Sequence, residues 1–143
     1  MNPQDIAEGF VKDVYASRDI RLCDKKFLEI WPKLKAEYGM NTGLTLEISC
    51  TYRSPKAQND LFQIGRTKPG KILTKCDGYD KISKHNFCPS LAIDVYALII
   101  GKAVAVWDID AYEALDKLAK QFDFVWGGNW KEFPDRCHLE LIS

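Results

Sequence analysis

The chain contains two histidines, His85 and His138, each placed near carboxylates at spacings that suit chemistry. His85 lies in SKHNFCPSLAID, nine positions before Asp94, and His138 lies in PDRCHLEL, three positions after Asp135. Asp94 interrupts an apolar run on the face away from Leu91, Ile93 and Val95, and His138 alternates in the same way with Leu139 and Leu141. Two strands are therefore expected each to aim one donor into a shared cleft. Two imidazoles and one carboxylate make a three-donor zinc site whose fourth position stays open to water. Zinc held in this way polarises a carbonyl and lowers the pKa of water. Amide hydrolysis also needs a group that takes a proton from the water and returns one to the departing amine. Asp135, in an expected loop just before His138, is the candidate for that work.

Spacing alone leaves a second reading open. In it His85 is an ordinary loop residue, His138 lies on the surface of an edge strand and Asp94 is solvated. Cysteine ligation is a further option, because thiolates bind zinc well. Cys137 and His138 are neighbours on a strand and point to opposite faces, so Cys137 is read as a small buried hydrophobe. Cys88 is left unassigned.

The elements that must position these groups are legible as patterns. Residues 4–16 suit a helix, with Ile6, Phe10 and Val14 spaced by four. Asp24 suits the cap of a second helix striped by Phe27, Ile30, Trp31, Leu34 and Tyr38; Pro32 is expected to kink it and Gly39 to end it. Leu44 to Thr51 reads as a strand with Leu44, Leu46, Ile48 and Cys50 on one face. Ser54-Pro55 opens a short helix to about Ile64, closed by Gly65. Residues 65–90 lack periodicity, and a loop of that length in a small domain is usually functional. Leu91 to Ala97 is a strand that turns at Gly101-Lys102 into another ending near Trp107. Asp110 begins a helix with Tyr112, Leu115, Leu118, Ala119 and Phe122 on one side; Phe124 to Trp126 and Cys137 to Ile142 are the last strands. The expected class is α+β: helices in the N-terminal half packed on a small, mainly antiparallel sheet that carries the cleft. One domain is expected over residues 1–143, with a helical N-terminal part at 1–40 and a catalytic core at 44–143.

Composition narrows the function. The chain has 143 residues with 20 Lys+Arg against 20 Asp+Glu, so its formal net charge is zero. A nucleic-acid binder needs surplus cations to neutralise phosphate, and none is expected here. With 46% hydrophobic and 12% aromatic residues, the chain is not expected to be disordered. No apolar run nears the roughly 18 residues of a spanning helix, so no stable membrane insertion is expected. The start, MNPQDIAEGFVKD, does not read as a secretory leader, and five cysteines form an odd set. Both fit a protein made in the cytoplasm with reduced thiols, and a monomer is expected.

Four ordered segments carry a resemblance. SKHNFCPSLAID and PDRCHLEL resemble the signature segments of the zinc D,D- and L,D-peptidase family, which includes VanY-type D-alanyl-D-alanine carboxypeptidases and phage L-alanyl-D-glutamate endolysins. The first pattern falls on Ser83, His85, Ala92 and Asp94, and the second on Asp135, His138, Leu139 and Glu140. TYRSPKAQNDLFQIGRTKPGKILT is similar to the family's Tyr-Arg-Ser turn, helix and Gly-Arg-Thr-x-Pro-Gly loop, and WGGNWKEFPDRCH to the phage endolysin branch. Three features depart from the pattern: the longer spacer NFCPSLAI, Cys137 where proline often stands, and Cys88 inside the first motif.

The resemblance implies one zinc ion on His85, Asp94 and His138, and Asp135 as catalytic acid/base. It implies Arg53 as the anchor of a substrate carboxylate, which a guanidinium grips by two parallel hydrogen bonds. Gln58, Ser83 and Trp130 complete the expected substrate site, with Ser83 either binding the carboxylate or orienting its loop. Trp126, Gly127 and Gly128 are expected to shape the cleft wall, the glycines admitting a peptide backbone. The implied substrate is the peptidoglycan stem peptide and the leading activity an L-alanyl-D-glutamate endopeptidase that reaches the wall through a permeabilised membrane. Alternatives are a D-alanyl-D-alanine carboxypeptidase or dipeptidase, and an inactive wall-binding or virion structural module.

Overall fold

A computed structural model describes residues 13–142. Most of the helix expected at 4–16 lies outside them. The described remainder, residues 13–16, is not helical, and Ala16 instead bridges to Arg53 in antiparallel fashion.

Among the described residues there are three α-helices, α1 (Lys25–Thr42), α2 (Pro55–Gln63) and α3 (Ile109–Phe122). Five strands, β1 (Leu44–Cys50), β2 (Ala92–Ile99), β3 (Ala105–Val106), β4 (Phe124–Trp126) and β5 (His138–Leu141), form one antiparallel sheet. Its order is β1-β2-β5-β4, with β3 beside the far end of β2. The architecture is α+β.

The Asp24 side chain accepts from the Lys26 backbone N–H and starts α1. The helix runs unbroken through Pro32 and past Gly39. It stops at Gly43, whose φ of 72° is the left-handed turn that glycine adopts without strain and whose N–H returns to Gly39 O. Gly39 is thus the acceptor of the C-cap bond and not the terminator. Ser54 caps α2, accepting from Ala57 N–H, with Pro55 at the first turn. The last helix starts at Ile109 after Asp108, one residue before the expected Asp110.

Helices α1 and α3 cover one face of the sheet. Phe27, Leu34 and Tyr38 of α1 and Tyr112, Leu115 and Leu118 of α3 pack with Leu46, Ile93, Val95, Leu139 and Leu141 from the strands. Tyr38 donates to Ala111 O at 2.8 Å, tying the two helices together, and Phe27 stacks on Phe124 at 4.9 Å. Fully burying each such aliphatic side chain stabilises the fold by about 1.5–3 kcal/mol, so this face carries much of the stability.

The opposite face takes a different composition because β1 carries a bulge. Leu44, Leu46 and Ile48 oppose Ile99, Ala97 and Val95, but the register then slips and Cys50 opposes Asp94. Directly paired residues share a face. Cys50 is therefore not on the core face with Leu44, Leu46 and Ile48, as strict alternation predicts; the extra residue rotates it to the side of Asp94.

Candidate metal and catalytic site

Asp94 and His138 are direct antiparallel partners on β2 and β5, so their side chains leave the sheet together. His85 arrives from the 65–90 loop, in a single 3-10 turn at Lys84–Asn86. Ser83 Oγ accepts the His85 backbone N–H at 3.2 Å, and Ser83 N–H donates to Asn86 Oδ1 at 2.8 Å. Asn86 Nδ2 in turn donates to Arg53 O, and Arg53 N–H donates to His85 O, so the turn is locked to the segment after β1. Of the two roles expected for Ser83, this geometry displays the orienting one.

His85 Nε2 lies 3.1 Å and His138 Nδ1 3.2 Å from the same oxygen, Asp94 Oδ1. The two rings meet edge to face at 5.1 Å. Behind them, His85 Nδ1 is 2.7 Å from Thr51 O, and His138 Nε2 is 2.9 Å from Glu140 Oε1. A carbonyl and a carboxylate only accept, so these outer nitrogens carry the protons of the neutral rings. Their inner nitrogens then direct lone pairs at a carboxylate oxygen, an arrangement that repels unless positive charge lies among them. Two imidazole nitrogens and one carboxylate oxygen, each ring held from behind, are the donor set that a zinc ion fits.

The electrostatics agree. Burial alone would raise the Asp94 pKa, but His85 and His138 outweigh it and hold the carboxyl well below the usual carboxylate range. Burial would lower that of His85, yet the charge and hydrogen bond of Asp94 push it up to about 10. The field at this point favours a cation. Glu140, despite desolvation, is held below its ordinary value by His138 and Lys84, whose Nζ lies 3.0 Å from Glu140 Oε2.

Two sets of candidate ligand atoms each lie within 4.8 Å of one another: Cys50, His85 and Asp94, and Asp94, Asp135 and His138. Asp94 joins them. Asp135 is open to the cleft on one side, but the surrounding protein desolvates it and raises its pKa, with the charge of Asp94 adding to the effect. Its loop is pinned by Asp135 N–H to Gly127 O at 2.9 Å and Trp126 Nε1 to Arg136 O at 2.8 Å.

The eight expected site residues, Arg53, Gln58, Ser83, His85, Asp94, Trp130, Asp135 and His138, all line one cleft of about 520 Å³. A larger hollow of about 960 Å³ runs beside Trp107 and the start of α3, but it contains no histidine, cysteine or basic group. Arg53 Nη2 donates to Asp94 Oδ2 at 3.1 Å and its Nη1 to Gln58 Oε1 at 3.0 Å. Gln58 is fully buried and anchored by donation to Cys76 O, so it holds the guanidinium in place. Trp130 stands 4.9 Å from the His138 ring.

The glycine expectation needs correction. A Cβ on Gly127 would meet Asp135 O at 2.6 Å, and one on Gly128 would meet the Trp126 ring at 2.2 Å. These glycines admit the protein's own loop and ring, and neither they nor Trp126 line the cleft. Cys137 is half-buried and packs against the main core, whereas Cys88 is buried with Tyr52 in a small separate cluster. Sequence reading missed Cys50 and the acceptor roles of Thr51 and Glu140. A carbonyl has no residue-type signal, and Cys50 was hidden by the bulge.

With this geometry in view, the similarities to known proteins are specific. Residues 77–141 match a peptidase M15 family model described as D-alanyl-D-alanine carboxypeptidase. The chain is 38% identical over 112 residues to the peptidoglycan L-alanyl-D-glutamate endopeptidase CwlK of Bacillus subtilis (strain 168), covering 71% of this chain and 64% of that protein. The chain thus spans a little under two-thirds of the length of that curated relative. The fold matches the Serratia marcescens L-Ala D-Glu endopeptidase ChiX with a TM-score of 0.58 at 22% identity, over 90% of this chain and 86% of that one. It also matches the vancomycin resistance D,D-pentapeptidase VanY in complex with Zn(II), with a TM-score of 0.58 at 14% identity, over 85% of this chain and 73% of that one. These similarities agree with the resemblance to the D,D- and L,D-peptidases that the sequence carries.

Proposed function

We propose that this chain is a zinc peptidase that hydrolyses peptidoglycan stem peptides, with L-alanyl-D-glutamate endopeptidase as its activity. The observation that carries the reading is the meeting of two imidazoles on Asp94 Oδ1 with Asp135 beside them. His85, Asp94 and His138 would hold the ion. Bound there, zinc supplies Lewis acidity, which polarises the scissile carbonyl and lowers the pKa of water. Asp135, with its raised pKa, takes the water's proton and returns it to the leaving amine. Arg53, held by Gln58 and Asp94, turns further N–H groups to a substrate carboxylate. Ser83 sets the His85 turn, and Trp130 forms a wall of the binding cleft.

A monomer is part of the same reading. These residues span Arg53 to His138, so the catalytic unit extends well before the family match at 77 and agrees with a core of 44–143. No helix among the described residues is long and apolar enough to cross a membrane. Access to the wall after release through a permeabilised membrane is part of the same reading.

The description of the matched family favours a second activity, D-alanyl-D-alanine carboxypeptidase. Digestion of purified sacculi with the zinc-loaded protein separates the two. New D-glutamyl amino termini, lost on chelation, are expected; release of D-alanine without them would reassign the chain to the carboxypeptidases. An Asp135→Asn protein that retains its zinc but loses about 10²–10⁴-fold in rate is expected for a peptidase. Undiminished lysis by that variant would favour a binding module.

A further inference from the structure

We infer that the cleft continues into a saccharide subsite built on Trp107, which takes the amino-sugar strand to which the stem peptide is attached. Trp107 follows β3 and is 65% exposed. One face of its indole stacks on Tyr112 at 6.0 Å with planes 6° apart. Tyr112 is itself buried and fixed, its hydroxyl donating to Val106 O at 2.7 Å and accepting from Ala97 N–H at 3.2 Å. The result is an aromatic shelf fixed from behind and largely exposed. A flat apolar face with polar groups beside it suits the C–H face and hydroxyls of a sugar ring.

The shelf is connected to the candidate active site. Trp107, Tyr112, Arg136 and Asp135 line one groove of about 390 Å³, and Asp135 also lines the catalytic cleft. Beyond Trp107 the larger hollow offers Asn41, Asp108 and Asp110. Arg53 opens on a different groove, beside Tyr15 and Asp60, which shares no lining residue with the one at Trp107. In this proposal a substrate whose carboxylate is held at Arg53 leaves the cleft, on its amino side, past Asp135 toward the indole.

Chain length selects the occupant. One extended residue spans about 3.5 Å. The sugar is one residue from an L-alanyl-D-glutamyl bond but four residues, about 14 Å, from a terminal D-alanyl-D-alanine bond. Only the first arrangement brings saccharide to a groove that begins at Asp135. This subsite rests on the endopeptidase reading, and it adds a reason for that bond to be the one cut.

The test compares two soluble substrates that differ only in the amino-terminal cap of the stem tripeptide, N-acetylmuramoyl or acetyl. The zinc-loaded protein is expected to show about a tenfold higher kcat/KM for the muramoyl peptide, the size given by covering one indole face. Trp107→Ala is expected to bring the ratio of the two values close to one, and Trp107→Phe to keep most of it. Equal rates on both substrates, or a ratio that Trp107→Ala leaves unchanged, would overturn the subsite alone. Cleavage of neither would overturn the endopeptidase reading and the subsite with it.

Discussion

At the residue scale, the candidate site depends on what stands behind each imidazole. His85 is aimed by a backbone carbonyl, Thr51 O, and His138 by the carboxylate of Glu140. Only the second can be altered by substitution without moving the main chain. Glu140→Gln keeps the shape but removes the charge that makes His138 a better donor and leaves Lys84 with only the Leu141 carbonyl as partner. Zinc affinity is expected to fall about 10–100-fold, read by competition with a chromophoric chelator. Equal affinity would show that Glu140 serves only to pair with Lys84. The same residues show what a sequence can and cannot display. His85, Asp94, Asp135 and His138 were legible because their chemistry is in the residue type, and the strand period aims Asp94 and His138. Thr51 contributes its carbonyl, which every residue carries, so nothing in the sequence marked it.

At the scale of elements, the turn between β4 and β5 positions Asp135 by close approach. Gly127 lies against Asp135 O, the His138 Cβ and the Trp130 ring, and all three would meet an added methyl within 3.3 Å. Gly127→Ala is expected to displace the Asp135 loop and reduce activity about 100-fold, the usual cost of a misplacement of about 1 Å. Thermal unfolding measured alongside shows whether the fold survives. On the other side of β5, Leu139→Ala removes a fully buried side chain between the sheet and helices, and a loss of about 2–5 kcal/mol in urea unfolding is expected. Element boundaries were less legible than element types. Two glycines, Gly39 and Gly43, could have ended α1. The choice fell to Gly43, where the chain must turn left-handed to enter β1. In α3, two aspartates compete for the start, and the earlier one precedes the first helical residue.

At the scale of the molecule, the sheet separates two tasks: the helix-covered face holds the fold together and the opposite face holds the chemistry. The covered face is set to fail in alkali. Burial pushes the Cys23 thiol and the Tyr38 phenol each up to about 12. In the unfolded chain they lose their protons near 9 and 10, so above that range the unfolded state binds fewer protons and stability declines with rising pH. The midpoint of thermal unfolding is expected to drop steadily from pH 9 upward, and less steeply in Cys23→Ala; parallel slopes would remove Cys23 from that account. The slip at Ser49 is what places Cys50, two positions after Ile48, opposite Asp94 on the chemical face. Deleting that one residue would remove the bulge yet leave Cys50 opposite Asp94, because the residue that follows Ile48 then meets Asp94 by ordinary alternation. Such a shortened chain should still collapse around Leu46 and Val95 and still seat a dication, the lost peptide unit having been the one that no strand partner faced.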